Sequence, residues 1–363
     1  CFSDVLGIPF VVDMAIICVK AELVPLILEQ CGKKDIKNAV IISAGFNEAG
    51  NNELAEKTKA IARKYSIKII GPNVLGIINP YKNMNASFFS ELPEKGNISF
   101  ISQSGAVGTA ILDKCLQEKT GISLFISLGN MMNQDFIPAL EYAGNDAYTE
   151  IIMLYIESLG DEKGKKFVEL CRKISQKKKI IAIKAGKTKE GEKAAKTHTA
   201  SLSSPSKIYS SAFKQAGIIE VDSLNEMFRI ARVLSRYKKI GKKACIITNA
   251  GGLGILAADS CSKAGIKLEE IREEVLRELD GIMPKGYSRN NPLDIMGDAL
   301  AERYEKAIKI LSKQEYDFFI VIVSPQEMTQ AIETAQLLLK MKKPVFACFI
   351  GGKKFEQTKF FLR

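Results

Sequence analysis

At 363 residues the chain exceeds one ordinary domain, and a hydrophobic share of 46% beside 26% charged residues, with mean hydropathy near zero, excludes a disordered or fibrous protein. No apolar run is long enough to span a bilayer, so no membrane partner is expected. The net charge of +11 would suit nucleic acid, but Lys is mixed with Glu and Asp along nearly every helical pattern, aromatics do not interleave with basic residues, and Trp is absent. The expectation is a Lys-rich surface that attracts small anions, with no nucleic-acid partner.

The first residue is Cys1 rather than Met, and the apolar run at 12–19 (VDMAIICV) reads like the middle of a parallel sheet, so a fragment lacking the front of its first domain is expected. Similar runs follow at 38–43, 67–71, 97–102, 122–127, 150–157, 178–186, 243–250, 317–324 and 343–350. Each is short and apolar, as strands buried on both faces are. Amphipathic patterns lie between them, among them 21–32, 53–65 and 224–237. The alternation predicts parallel α/β domains with helices on both sheet faces. One pattern occurs twice, ISFISQSGAVGTAILDKC at 98–115 and ACIITNAGGLGILAADSC at 244–261. Each copy reads as a strand, a polar Gly loop and a helix closing on Cys. Two related doubly wound domains are therefore expected, 93–238 and 239–363, after an incomplete α/β unit at 1–92, with 82–96 and 235–243 as linkers.

The eight cysteines contain no C-x-x-C pair, and with a single histidine no metal site is expected. Reduced, mostly buried thiols fit a cytoplasmic protein. Polar, Gly-rich clusters follow the strands at 43–50, 71–76, 102–108, 127–135, 249–254 and 324–329, on the sheet edge where open parallel sheets bind ligands. Ser104, Gly105 and Ala106 fall at a strand-to-helix turn, where free N–H groups and the helix dipole favour an anion. Gly251 and Gly252 make a second such start; glycine in these turns equally serves packing alone. Glu157 ends a strand, as a ligand-edge carboxylate or a solvent-facing one. Pro72 and Asn73 belong to GPNVLG, a site or an ordinary turn. His198 lies in a stretch (184–209) crowded with Lys, Ser, Thr and Gly. It reads either as an exposed loop residue with no chemical role or as a nucleophile on a mobile loop, since neutral imidazole accepts acyl or phosphoryl groups.

The co-linear set SAGF (43–46), GPNVLG (71–76), SQSGA (102–106), SLGN (127–130), LYIES (154–158), KAGKT (184–188), THTAS (197–201), QAGII (215–219), NAGGLG (249–254) and NPLDIMGDA (291–299) resembles the alpha chain of the ADP-forming acyl-CoA synthetases. Acetate–CoA ligase (ADP-forming) is the best-known member of that family, and succinyl-CoA synthetase is a more distant relative. The resemblance covers nearly the whole chain. It implies a Rossmann-like CoA-binding domain, partial here, followed by two flavodoxin-like doubly wound domains. It makes His198 the phosphorylated histidine and Glu157 the carboxylate that orients it. Ser104, Gly105 and Ala106 would hold phosphate at one helix start, and Gly251 and Gly252 at the other. Asn73 and its neighbour Pro72, with Ser43 and Gly45, would face the CoA thioester. Departures from the family pattern are the missing first strand and Gly-rich turn of the CoA domain, Ala200 in place of Gly, Asn133 where an acidic residue is common, and an end inside the third domain.

The implied reaction is acyl-CoA + ADP + phosphate ⇌ carboxylic acid + CoA + ATP, through acyl phosphate and phosphohistidine. No G-x-x-x-x-G-K-[ST] or ATP-grasp pattern occurs, so ADP or ATP with Mg would sit on an ATP-grasp beta chain or fused domain, with no metal in this chain. Two alternatives stand beside this reading. A protein acetyltransferase-type relative uses such a CoA-binding part but tends to lack the histidine. A non-catalytic CoA-responsive module would need neither His198 nor Glu157.

Overall fold

A computed structural model describes residues 1–160, 163–191, 206–237, 239–352 and 355. The chain divides into two compact units, Cys1–Arg236 and Tyr237–Arg363.

The first unit opens with three parallel strands in the order β1 (Met14–Ile17), β2 (Asn38–Ile41), β3 (Lys68–Ile70). Helices α1 (Val24–Lys33) and α2 (Asn52–Tyr65) make the crossovers. Pro25 sits in the first turn of α1, where a missing N–H costs nothing. The two helices touch closely at Gly32, where a Cβ would stand 2.2 Å from Cγ of Tyr65. Leu28, Cys31, Ala55 and Ala62 join Ile41 and Ile69 in one buried core.

The second sheet contains β4 (Gly76–Asn79), β5 (Met84–Ser87), β6 (Lys95–Ser102), β7 (Ile122–Ser127), β8 (Ile151–Ile156), β9 (Lys179–Lys184) and β10 (Ile219–Glu220). Their order is β10-β9-β8-β6-β7-β4-β5. The strands from β10 to β7 are parallel, and β4 and β5 add an antiparallel edge. The stretch 82–96, expected as a linker, thus holds β5 and the start of β6, and this sheet begins at Gly76, before the expected cut at residue 92. The reason is local: at Gly76 (φ 124) a Cβ would lie 2.2 Å from the Ala86 carbonyl, so a tight backbone ladder forms where the side chains carry no alternating pattern.

Helices α3 (Gly105–Gln117), α4 (Phe136–Asn145), α5 (Gly164–Ser175), α6 (Ser206–Ala216) and α7 (Leu224–Arg236) cover both faces. Side chains alternate along each strand, so Phe100, Met153 and Ile181 pack toward α3 and α7, while Ile101, Leu154 and Ala182 pack toward α4, α5 and α6. Each large side chain buried this way contributes roughly 1.5–3 kcal/mol, and truncating Phe100 to Ala would cost about 3–5 kcal/mol.

In the second unit β11 (Lys243–Thr248), β12 (Lys267–Leu268), β13 (Leu293–Asp294), β14 (Phe318–Val323) and β15 (Val345–Phe349) form a parallel sheet in the order β12-β11-β14-β15, with β13 on the carboxyl end of β11. Helices α8 (Gly251–Lys263), α9 (Glu273–Asp280), α10 (Ala301–Leu311) and α11 (Ala331–Leu339) again lie on both faces. Every apolar run named in the sequence forms a strand, and the α/β class with doubly wound parallel sheets holds. Among the described residues no helix is long and apolar enough to cross a membrane.

Candidate active site

β6 ends at Ser102 and α3 begins at Gly105, leaving Gln103 and Ser104 to make the turn. Ser104 is the N-cap in extended backbone, and its Oγ accepts from the Val107 N–H at 3.3 Å. The Ser102 hydroxyl donates to the Ser104 carbonyl at 2.6 Å and fixes the turn from behind. The first-turn N–H groups of a helix lack intrahelical acceptors and carry partial positive charge, so this start favours an anion. Its two glycines differ in purpose. A Cβ on Gly108 would stand 2.6 Å from Cζ of Phe125, so that glycine presses α3 onto β7. A Cβ on Gly105 would meet Leu75, whose N is nearest at 3.4 Å, in ordinary contact, so packing does not require it.

Glu157 follows the end of β8 and is buried, at 8% exposure. Its backbone is held by Gln103, whose Oε1 accepts from the N–H groups of Glu157 at 2.9 Å and Ser158 at 3.0 Å. Gln103 is itself buried, and its own N–H donates to the Tyr155 carbonyl at 3.1 Å. Burial, and then the charge of Glu157, push the Tyr155 phenol up.

Ser104, Gly105, Ala106, Glu157 and Asn73 all line one cavity of about 530 Å³. Ile42, Val74, Leu75 and Phe88 give it an apolar wall, and Gln103, Gly129 and Asn130 complete the polar one. Asn73 reaches it from a left-handed backbone (φ 61), with its N–H on the Ser43 carbonyl at 2.9 Å.

Ser43, Gly45 and Pro72 lie on the loops behind this wall and do not line it. Ser43 Oγ donates to the Val19 carbonyl at 2.5 Å, and the Gly45 N–H donates to Glu48 Oε1 at 2.6 Å. Ala44, between them, faces the cavity instead. Pro72 lines a smaller cavity of about 170 Å³, and its carbonyl accepts from the Asn130 N–H at 3.0 Å. Gly251 and Gly252 start α8 in the second unit. A Cβ on Gly251 would stand 2.7 Å from Asp294 Oδ2, whereas Gly252 has nothing within 4 Å. His198 and Ala200 lie outside the described residues. Asn133 clasps the start of β3, accepting at Oδ1 from the Ile69 N–H at 2.7 Å and donating from Nδ2 to the Ile67 carbonyl at 2.8 Å. A carboxylate could not supply the second bond.

Sequence reasoning missed Gln103, Asn130 and Glu48. Each lies inside a polar cluster singled out along the chain, and a Gln between a strand and a Gly turn was the available signal for the first. Asn130 Nδ2 donates to Glu48 Oε2. Burial acts to raise the Glu48 pKa, but the donors at Gly45, Asn130 and Phe46 outweigh it and hold the carboxyl below its ordinary range. Among the described residues no group of three or more His, Cys, Asp or Glu is placed to hold a metal ion.

Three family models match the chain: a CoA binding domain over residues 1–80, a succinyl-CoA ligase like flavodoxin domain over 95–234 and a ligase-CoA domain over 244–358. The acetate–CoA ligase [ADP-forming] II subunit alpha of Pyrococcus furiosus is 39% identical over 369 residues, covering 99% of this chain and 80% of the relative. Acetate–CoA ligase [ADP-forming] I of Archaeoglobus fulgidus is 40% identical over the whole chain, which spans 53% of that longer protein. Among solved structures, acetyl-coenzyme A synthetase 1 of Ca. Korarchaeum cryptofilum, in complex with phosphate and ADP, superposes with a TM-score of 0.91 at 33% identity, over 100% of this chain and 80% of the other. With the co-linear motifs, the doubly wound sheets and an alpha subunit matched over four-fifths of its length, this chain belongs to the ADP-forming acetate–CoA ligase family.

Proposed function

We propose that the chain is the alpha part of an ADP-forming acid–CoA ligase, interconverting acyl-CoA, ADP and phosphate with a carboxylic acid, CoA and ATP. The observation that carries this is the cavity that gathers the Ser104–Ala106 helix start, the Glu157 carboxylate and Asn73 in a chain so similar to an alpha subunit. A phosphate oxygen attacks the thioester carbonyl, the C–S bond breaks, and CoA leaves as the thiolate. The His198 imidazole then attacks phosphorus, the P–O bond to the acyl group breaks, and the carboxylate leaves. An ADP oxygen takes the phosphoryl group from nitrogen to form ATP. The helix start stabilises the phosphate charge and Glu157 holds the imidazole tautomer that leaves the attacking nitrogen bare.

The division into a CoA-binding part (1–92), a ligase domain carrying the phosphohistidine loop (93–238) and a second ligase domain (239–363) belongs to this reading. So do the roles of Ser43, Gly45 and Pro72 as backbone supports of the CoA site, and of Gly251 and Gly252 as a second phosphate-binding start. The nucleotide and its Mg would sit on an ATP-grasp beta chain or fused domain, making a cytoplasmic hetero-oligomer or a longer fused enzyme.

Labelled phosphate with acyl-CoA should label the chain on His198 alone, in an acid-labile, base-stable form. Persistent labelling of His198→Ala would sink the reading. The chain alone should make no ATP, and an ATP-grasp partner should restore synthesis.

A further inference from the structure

Three loops meet on one side of the cavity, 43–50 after β2, 71–76 after β3 and 128–135 after β7, and a chain of one carboxylate and two amides ties them together. Glu48 Oε1 accepts from the N–H groups of Gly45 at 2.6 Å and Phe46 at 3.2 Å, while Oε2 accepts from Asn130 Nδ2. Asn130 Oδ1 in turn accepts from Asn73 Nδ2 at 3.5 Å. The backbone N–H of Asn130 is anchored on Pro72 and that of Asn73 on Ser43. Both amides line the cavity, whereas Glu48 does not.

An ionised carboxylate only accepts hydrogen bonds, and an amide has one accepting and one donating end. Glu48 therefore forces Asn130 to turn its NH2 group toward it and its carbonyl toward Asn73. Asn73 must then commit an N–H to Asn130, which turns its own carbonyl oxygen the other way. Without a charge at one end, both amides could reverse at little cost, because their shapes are nearly the same either way round.

We propose that Glu48 is a positioning residue that sets the hydrogen-bond polarity of this wall through Asn130, so that Asn73 presents a carbonyl acceptor to an N–H donor of the CoA pantetheine arm. This rests on the functional reading above. The low pKa of Glu48 keeps the charge in place through the neutral range.

Titration calorimetry of CoA and of inorganic phosphate into the full chain with its ATP-grasp partner tests it, with thermal melting to confirm folding. Glu48→Gln should weaken CoA about tenfold while phosphate affinity stays within about twofold. Asn130→Ala should weaken CoA similarly, and the double variant should be no weaker than either single one, since both break the same relay. If Glu48→Gln does not fold, Asn73→Ala, which removes the acceptor itself, must weaken CoA by the same factor with phosphate unchanged. Additive losses, an equal loss of phosphate, or unchanged CoA affinity in Glu48→Gln or Asn73→Ala overturn the relay alone. A wild-type protein that binds no CoA overturns the functional reading with it.

Discussion

The two copies of the strand–loop–helix pattern fold alike and end in different surroundings. Behind each turn a hydroxyl holds a carbonyl two residues on, Ser102 to Ser104 at 2.6 Å and Thr248 to Ala250 at 3.1 Å. After it an amide reaches the next strand end, Gln103 to Glu157 and Ser158, and Asn249 to Ser324. The divergence lies at the helix start. The first copy is capped by Ser104 and opens on a cavity bearing Glu157. The second has Ala250, with no side-chain cap, and a carboxylate against its first residue: β13 pairs Asp294 with Thr248 and brings Oδ2 to 2.7 Å from the Cβ that Gly251 lacks. At the matching place beside Ser102 the neighbour on β7 is Ser127, a neutral hydroxyl that accepts from the Leu75 N–H at 3.0 Å. The same local sequence therefore builds the same turn, and its neighbour decides the electrostatics at the helix start.

The largest effect expected of this contrast is catalytic. Glu157→Gln keeps the shape and loses the charge, so phosphohistidine formation, followed by rapid-quench labelling, should slow by roughly two to four powers of ten. Labelling at the wild-type rate would reduce Glu157 to a structural strand-end residue. The packing glycines come next. Gly108→Ala drives a methyl into the buried Phe125 ring and should cost about 1–3 kcal/mol in chemical denaturation. In the sister copy a Cβ on Gly254 meets Thr248 at 3.1 Å and Pro292 at 3.3 Å, and the gain in helix propensity offsets much of that, so Gly254→Ala should stay within about 1 kcal/mol of wild type. Equal losses would show that the two helices are seated alike.

A cap exchange probes the starts themselves. Ser104→Ala removes the acceptor for Val107 and should cost about 1 kcal/mol, while Ala250→Ser, in extended backbone already suited to a cap, should gain about 0.5–1 kcal/mol. No gain at position 250 would mean that its first-turn donors are already satisfied. The smallest effect is at the closing cysteines. Burial, with the charge of Glu118 adding to it, pushes the Cys115 thiol up to about 12, and burial raises Cys261 as well. Thiolate is the reactive form, so iodoacetamide at pH 8 should spare both in the native protein, Cys115 the more completely. Faster modification of Cys115 than of exposed Cys18 would contradict that burial.

The strands formed by the ten apolar runs, the helices that alternate with them and the two turns at Ser104 and Gly251 were legible in the sequence. Apolar runs and Gly-rich starts report on a residue's own backbone and on which side of it is dry, and both are local properties. Glu157 was legible as a strand-end carboxylate. What the sequence could not hold was every feature made by partners far apart in the chain. β4 and β5 join the middle sheet through a tight backbone ladder at Gly76 and Ala86, which leaves no side-chain signature. Asp294 meets Gly251 only because β13 pairs beside β11. The Glu48–Asn130–Asn73 relay draws on three loops, and a hydrogen bond's direction depends on which partner can only accept. Periodicity determined where the backbone would be regular; tertiary structure alone decided which polar groups would meet, because hydrogen bonds act at contact distance between residues that the chain itself keeps far apart.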